Sequence, residues 1–292
     1  MTAFRRAAIA GAMIAAAFLT GCKPEPATPR TAKPTDVPTA GPLELKPPAK
    51  PGQSTPEGQA KLAVLLAAHT GGKPARLDAL KSAGFTRAGV LFLNGPPGFP
   101  ATQTVEVAWP ARFKSSTEIT TETVGTTAVG LSPEGNWISQ SNRPHGDTGA
   151  KALPKQKIVD DLLLTAQRQM QEDHCFLLFP FADPLTKVVL ADDAKIGQEK
   201  DCYGLHVWTP ALDYALLHVD KKSNLLVRLS FAGHENGRDV LKELLFEDAQ
   251  DFGGVKLPAK VYIRAAGIEL AEWRSLKVTA GKTFEPKHFD NP

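Results

Sequence analysis

The spacing of apolar residues along the chain changes period several times, and each change predicts an element. Ser54-Thr55-Pro56-Glu57 places a hydroxyl cap, a proline in the first turn and a glutamate three residues after Ser54, which are helix-start signals. Leu62, Leu65, Leu66 and His69 then recur at helical spacing until Gly71-Gly72 stops the helix. A second short helix is predicted from Pro74 to Ser82, with Leu77 and Leu80 inward. From Phe85 the period becomes two. Phe85–Asn94, Thr102–Trp109, Phe113–Thr121, Thr126–Ser132 and Asn136–Ser141 read as strands, rich in Thr, Val, Ile and aromatics and separated by Gly, Pro and Asn. The polar run Lys114–Thr121 implies that one face of this sheet meets water. Gly95–Gly98 is a turn and Asn142–Leu153 a polar loop.

Lys155–Asp173 breaks the alternation. Ile158, Val159, Leu162, Ala166 and Met170 fall on one side of a helix, opposite Asp160, Asp161, Gln167 and Arg168. Such an inserted helix either lies on the sheet as part of the core or serves as a movable lid. Strands resume at Cys175–Phe181, Thr186–Leu190, Tyr203–Trp208, Asp213–Asp220, Leu225–Phe231, Val240–Ala249, Pro258–Ala265 and Ile268–Ala280, with hairpin turns at Asp220–Asn224 and Asp251–Gly254. Many strands at short spacing, two helices in front and one in the middle predict a mainly β fold with some α: a large curved antiparallel sheet wrapped around helices.

The first residues follow another logic. Arg5 and Arg6 precede an apolar run from Ile9 to Leu19, too short to cross a bilayer as a helix, and Leu19-Thr20-Gly21-Cys22 reads as a bacterial lipobox. This pattern predicts a lipoprotein signal peptide over residues 1–21, cleavage before Cys22 and acyl chains on its thiol. Acyl anchoring gains about 0.8 kcal/mol per buried methylene, so two or three chains hold a protein on a membrane. From Lys23 to Ser54, proline recurs among Ala, Thr and Lys with no apolar periodicity. Residues 22–54 therefore read as an extended tether, at about 3.1 Å per residue. Residues 55–292 form the folded domain.

Composition narrows the function. The 292-residue chain carries a net charge of +3, which falls to +1 once Arg5 and Arg6 are removed, and no basic stripe points to nucleic acid. Outside the cytoplasm, Cys175 and Cys202 either form a disulfide or stay as two buried thiols; spacing does not decide between them. No Gly-x-Ser-x-Gly, His-Glu-x-x-His or paired-cysteine metal motif occurs. Gly71-Gly72-Lys73 lacks the first glycine and the hydroxyl of a phosphate loop. His145 with Asp147, and His174 beside Cys175, are the best catalytic or metal constellations, and both are weak: one lies in a polar loop, the other on a predicted strand where neighbours face opposite ways. The expectation is a protein that is not an enzyme and needs neither cofactor nor metal.

Several local patterns, in order, resemble the LolA/LolB-like superfamily of outer-membrane lipoprotein-sorting proteins. They are Ala67–Lys73 followed by Leu77 and Leu80–Ser82, Trp109–Lys114, Gly135-Asn136-Trp137, His218–Arg228, Asp251–Pro258 and the ending Phe284–Pro292. The resemblance implies an unclosed β-barrel with helices over its mouth and an apolar hollow for acyl chains or other amphipathic ligands. Where the family's soluble carrier has an arginine used in lid closure, this chain has Trp109, and a lipidated tether leans toward a stationary receptor rather than a shuttle. Lys23 after Cys22, by resemblance to proteobacterial sorting, favours the outer membrane facing the periplasm over the inner membrane or the cell surface.

The candidate hollow wall is Val105, Val107, Trp109, Phe113, Trp137, Val207, Leu217 and Leu229. Periodicity does not separate a hollow barrel from a filled one. Two expectations follow. One is a lipid-anchored envelope protein that binds a lipid, acyl chain or lipoprotein in an open barrel. The other is a non-catalytic interaction protein with a filled barrel whose edges or loops bind another envelope protein.

Overall fold

The computed structural model describes residues 45, 47–93, 95–144, 155–196, 200–235, 237–285 and 287–290. Cys22, most of the tether, and His145 with Asp147 lie outside the described residues.

The described residues form one antiparallel sheet of thirteen strands. In chain order these are β1 (Ser82–Leu91), β2 (Phe99–Ala108), β3 (Arg112–Thr120), β4 (Thr123–Ser132), β5 (Gly135–Pro144), β6 (Gln156–Lys157), β7 (Lys187–Ile196), β8 (Lys200–Trp208), β9 (Ala215–Asp220), β10 (Leu226–Glu235), β11 (Arg238–Phe252), β12 (Val255–Ala265) and β13 (Ile268–Ala280). The spatial order runs β6-β5-β4-β3-β2-β1-β13-β12-β11-β10-β9-β8-β7. Every neighbour is also a sequence neighbour except where β1 meets β13. The two edge strands, β6 and β7, are connected by a helix and do not pair with each other, so the barrel is unclosed, as expected.

Local chemistry fixes the helices. In α1 (Pro56–Thr70) the cap is Thr55, whose Oγ1 accepts from Gly58 N at 3.1 Å. Ser54 acts elsewhere. Its Oγ accepts from Val188 N at 3.1 Å, while Thr55 N donates to Val188 O at 3.0 Å, fastening the helix start to β7. Gly71, at φ 59°, ends the helix in the left-handed conformation that glycine adopts without penalty. His69 is a buried bracket: Nδ1 donates to Lys256 O at 2.6 Å and Nε2 accepts from Leu226 N at 3.0 Å, tying α1 to β12 and β10. Pro74–Lys81 is a 3-10 segment with Leu77 and Leu80 buried.

The inserted helix α2 spans Asp160–Phe176. Two expectations change here. Cys175–Phe181 is not a strand: it is the end of α2 followed by a 3-10 segment at Phe179–Ala182, and every residue from Cys175 to Phe181 is buried. A short, continuously apolar run has no period to tell a buried helix end from a strand. The inward face of α2 also differs. Ile158 and Ala166 are buried, but Val159 is 50% and Leu162 45% exposed, and the helix turns Thr165, Gln169, Glu172 and Asp173 toward the sheet. The cause is electrostatic, because the sheet beneath this helix carries two buried cations, Arg87 and Lys242.

Cross-strand partners point to the same face. Val107, Phe113 and Leu131 share one row, and Val207, Ala215, Phe231 and Lys242 another, all on the concave side. The convex side carries a second layer on part of its surface, the C-terminal tail, where Phe289 covers Trp137 and His288 meets Glu106. Cys175 belongs to the concave core, whereas Cys202 packs with Val227 in a separate cluster that includes Leu245. The sheet lies between the two sulfurs and no bond joins them, which corrects the disulfide alternative.

Candidate functional site

The concave side has an apolar wall and a polar seam. Of the residues expected on the wall, Val105, Val107 and Phe113 lie on one half and Val207, Leu217 and Leu229 on the other, all fully buried in one continuous core. Trp109 stands half-buried just after β2 and packs edge-on against His174 and Phe179, each at a centroid distance of 5.2 Å. Trp137 is elsewhere: it lies on the convex face, Nε1 donating to Phe289 O at 2.9 Å with Lys155 Nζ 3.8 Å from its ring centroid. Its strand partner Gly130 shares that face, and the adjacent Ile138 takes the concave one.

The seam is where α2 meets the sheet. Arg87 of β1 donates from Nε to Gln103 Oε1 at 2.7 Å and places Nη2 3.2 Å from Asp173 Oδ1. Its guanidinium also lies 4.9 Å from the ring centroid of Trp273. Gln103 Nε2 passes the chain on to Ser115 Oγ and Thr117 Oγ1, each at 3.2 Å, and Gln169 Nε2 of α2 reaches the same Ser115 Oγ at 3.2 Å. Lys242 of β11 donates to Glu172 Oε2 at 2.6 Å and pairs with Glu235 at 3.3 Å. These contacts explain why α2 presents a polar face. Two cations on the sheet are out of water, and buried charge demands partners.

The seam is not fully satisfied. Arg87 Nη1, Asp173 Oδ2, Thr165 Oγ1 and Trp273 Nε1 are buried without a hydrogen-bond partner among the described residues. Burial raises the Asp173 carboxyl to about 7 despite Arg87, and Glu172 adds to the rise. Burial works against the Lys242 ammonium, but Glu172 and Glu235 hold it above its ordinary value. Between α2 and the sheet remains a cavity of about 20 Å³, bordered by Arg87, Gln103, Gln169, Glu172, Lys242 and Trp273. That is room for about one water, whereas ligand pockets run to about 300–1,000 Å³. In this conformation α2 closes the concave side.

His174 and Cys175 sit in α2 rather than on a strand. Burial lowers the His174 imidazole to about 4 and pushes the Cys175 thiol up, the opposite of what a base and a nucleophile need. Among the described residues no group of three His, Cys, Asp or Glu could hold a metal ion, and no helix is long and apolar enough to cross a membrane.

The seam residues are absent from the sequence-based expectation, but a signal for them exists. Arg87 is in phase with the inward Phe85 and Leu91, Gln103 with Ala101 and Val105, Ser115 with Phe113, and Lys242 with Leu244 and Phe246. Polar residues at inward positions on several strands mark a buried polar site.

No family model and no curated protein matches the chain. Solved structures do. A putative outer-membrane lipoprotein-sorting protein domain from Vibrio parahaemolyticus is 10% identical, covering 80% of this chain and 96% of that one, at a TM-score of 0.39. A DUF1329 family protein from Desulfovibrio piger is 12% identical over 81% of this chain and 98% of that one, at a TM-score of 0.45. A LolA superfamily protein from Nitrosomonas europaea is 13% identical over 80% of this chain and 96% of that one, at a TM-score of 0.44. The unclosed antiparallel barrel with helices on its concave side stands on the strand order and register described above.

Proposed function

We propose that this chain is a non-catalytic, lipid-anchored envelope protein that takes the apolar part of an amphipathic ligand between α2 and the concave face of the sheet. The observation that carries the reading is the mismatch at that face. The wall is apolar, yet the middle of its cover is held by ion pairs and amide contacts. Buried ion pairs contribute little net stability, because desolvation offsets most of their attraction. An apolar wall left bare is costly, at roughly 25 cal/mol per Å², and an acyl chain removes that cost. A cover with a polar grip over an apolar wall is thus poised to exchange with a greasy ligand. Anchoring through Cys22 and a proline-rich tether would present the barrel at a membrane, and the outer membrane facing the periplasm is the location we favour. Acyl chains of lipoproteins are one cargo of this chemistry.

One observation favours a second reading: the apolar wall residues are fully buried in this conformation, and the seam cavity among the described residues holds only about 20 Å³. A permanently filled barrel would act through its surface, as an interaction protein for another envelope protein. Organic extraction and mass spectrometry of the mature chain carrying Cys22→Ser separates the two. Stoichiometric co-purifying lipid, or micromolar binding of a fluorescent fatty acid, supports the carrier. A lipid-free protein that binds no such probe supports the interaction protein.

A further inference from the structure

We infer that the ligand carries one negative charge at its head, and that Arg87 and Lys242 of the sheet receive it in place of Asp173 and Glu172 of α2. This rests on the reading that α2 lifts from the concave face. When it does, both carboxylates leave with it, because both belong to the helix. Arg87, Lys242 and Glu235 stay, because they belong to β1, β11 and β10. The sheet side of the seam then holds one net positive charge. A neutral ligand would leave that charge buried and unmatched, which is strongly unfavourable. A monoanion brings the open seam to neutrality.

The geometry fits an oxyanion in detail. Arg87 is 3% exposed, and its Nη1 has no acceptor among the described residues while the side chain borders the seam cavity. Nη2 and Lys242 Nζ are the two donors that α2 now occupies with carboxylate oxygens. Gln103 is held by Ser115 and Thr117 with its Oε1 on Arg87 Nε, so the guanidinium keeps its orientation when the helix departs. A planar guanidinium fixed in this way suits a carboxylate or phosphate oxygen pair. Apolar residues lie next along the same strands, Phe85 beyond Arg87 and Val105 and Val107 beyond Gln103, so a head at the seam directs its chain along the wall. The carboxylates of α2 thus stand in for the headgroup in the closed state.

The test compares cis-parinaric acid with its methyl ester on the mature chain carrying Cys22→Ser at neutral pH. The acid is expected to bind at least about ten times tighter than the ester, a gap of about 1.4 kcal/mol. Lys242→Gln and Arg87→Gln are expected to bring the ratio of the two affinities toward one. Should either variant fail to fold, the acid-to-ester ratio of the unaltered site decides alone. Equal affinities would overturn the inference while leaving the apolar binding reading intact, and binding of neither probe would overturn both. Displacement of the bound acid by palmitate or by lysophosphatidylglycerol distinguishes a carboxylate head from a phosphodiester head. Equally strong displacement by zwitterionic lysophosphatidylcholine would contradict the need for net charge.

Discussion

Arg87 and Asp173 meet across the seam, Nη2 3.2 Å from Oδ1, with side-chain exposures of 3% and 0%. The pair joins the first strand of the sheet to the helix that covers it. Burial outweighs the guanidinium and raises the carboxyl of Asp173 to about 7, so the folded state holds a proton there that the unfolded chain has released. A group whose folded value lies above its unfolded value of about 4 contributes stability below that pH and loses it as pH rises toward 7. We expect Asp173→Asn to flatten the decline in unfolding free energy between about pH 4 and 7, measured by urea denaturation at a series of pH values. An unchanged slope would place that proton elsewhere.

A second pH effect has its own site. His234 of β10 lies between Asp239, 3.0 Å from Nδ1, and Asp161 at the start of α2, 2.6 Å from Nε2. The two carboxylates raise the imidazole above its ordinary value, so the latch is complete below about pH 6.5 and is lost as pH climbs through the raised value. Hydrogen exchange, corrected for intrinsic rate, is expected to show the first turns of α2 losing protection over that rise. His234→Gln removes the dependence.

The wall residues pack like a core in the closed state. Phe113 and Leu217 are fully buried, and truncation to alanine is expected to cost about 3–5 and about 2–5 kcal/mol respectively. Thermal denaturation would show each as a fall of roughly 2–4 °C per kcal/mol. Losses below about 1 kcal/mol would mean that these side chains face open space.

The convex side predicts a different signature. Trp137 is buried beneath Phe289, whose carbonyl accepts its indole N–H, while His288 and Lys282 pair with Glu106 at 2.6 Å each. Removing the chain after Phe284 should expose the indole, shift tryptophan emission to longer wavelength and lower stability. Binding of an apolar probe on the concave side should be unaffected.

Local features are legible in the sequence, and the failures have physical causes. The expected strand Ile268–Ala280 is the observed β13, and the hairpin at Asp220 is capped by its own carboxylate, Oδ1 accepting from Lys222 N at 3.0 Å and Ser223 N at 2.6 Å. Alternation and turn chemistry are written in adjacent residues. The inward face of α2 is not. Apolar periodicity points to Leu162 and Val159, whereas Arg87 and Lys242, distant in sequence, demand Glu172 and Asp173. Trp137 falls on the expected wall because an aromatic in an alternating strand looks the same from either side. The tail, arriving 152 residues later, is what buries Trp137 on the convex face.

Ligand entry and headgroup exchange both require that α2 open while the sheet stays folded, and native-state hydrogen exchange reads that opening. We expect the amides of Leu163–Phe176 to exchange through an opening of lower free energy than those of Leu226–Glu235, the strand α2 packs against. A bound fatty acid should change the exchange of α2 but not of that strand. If α2 and β10 exchange only together, at the free energy of global unfolding and with no response to ligand, the helix is a permanent part of the core and no ligand enters beneath it.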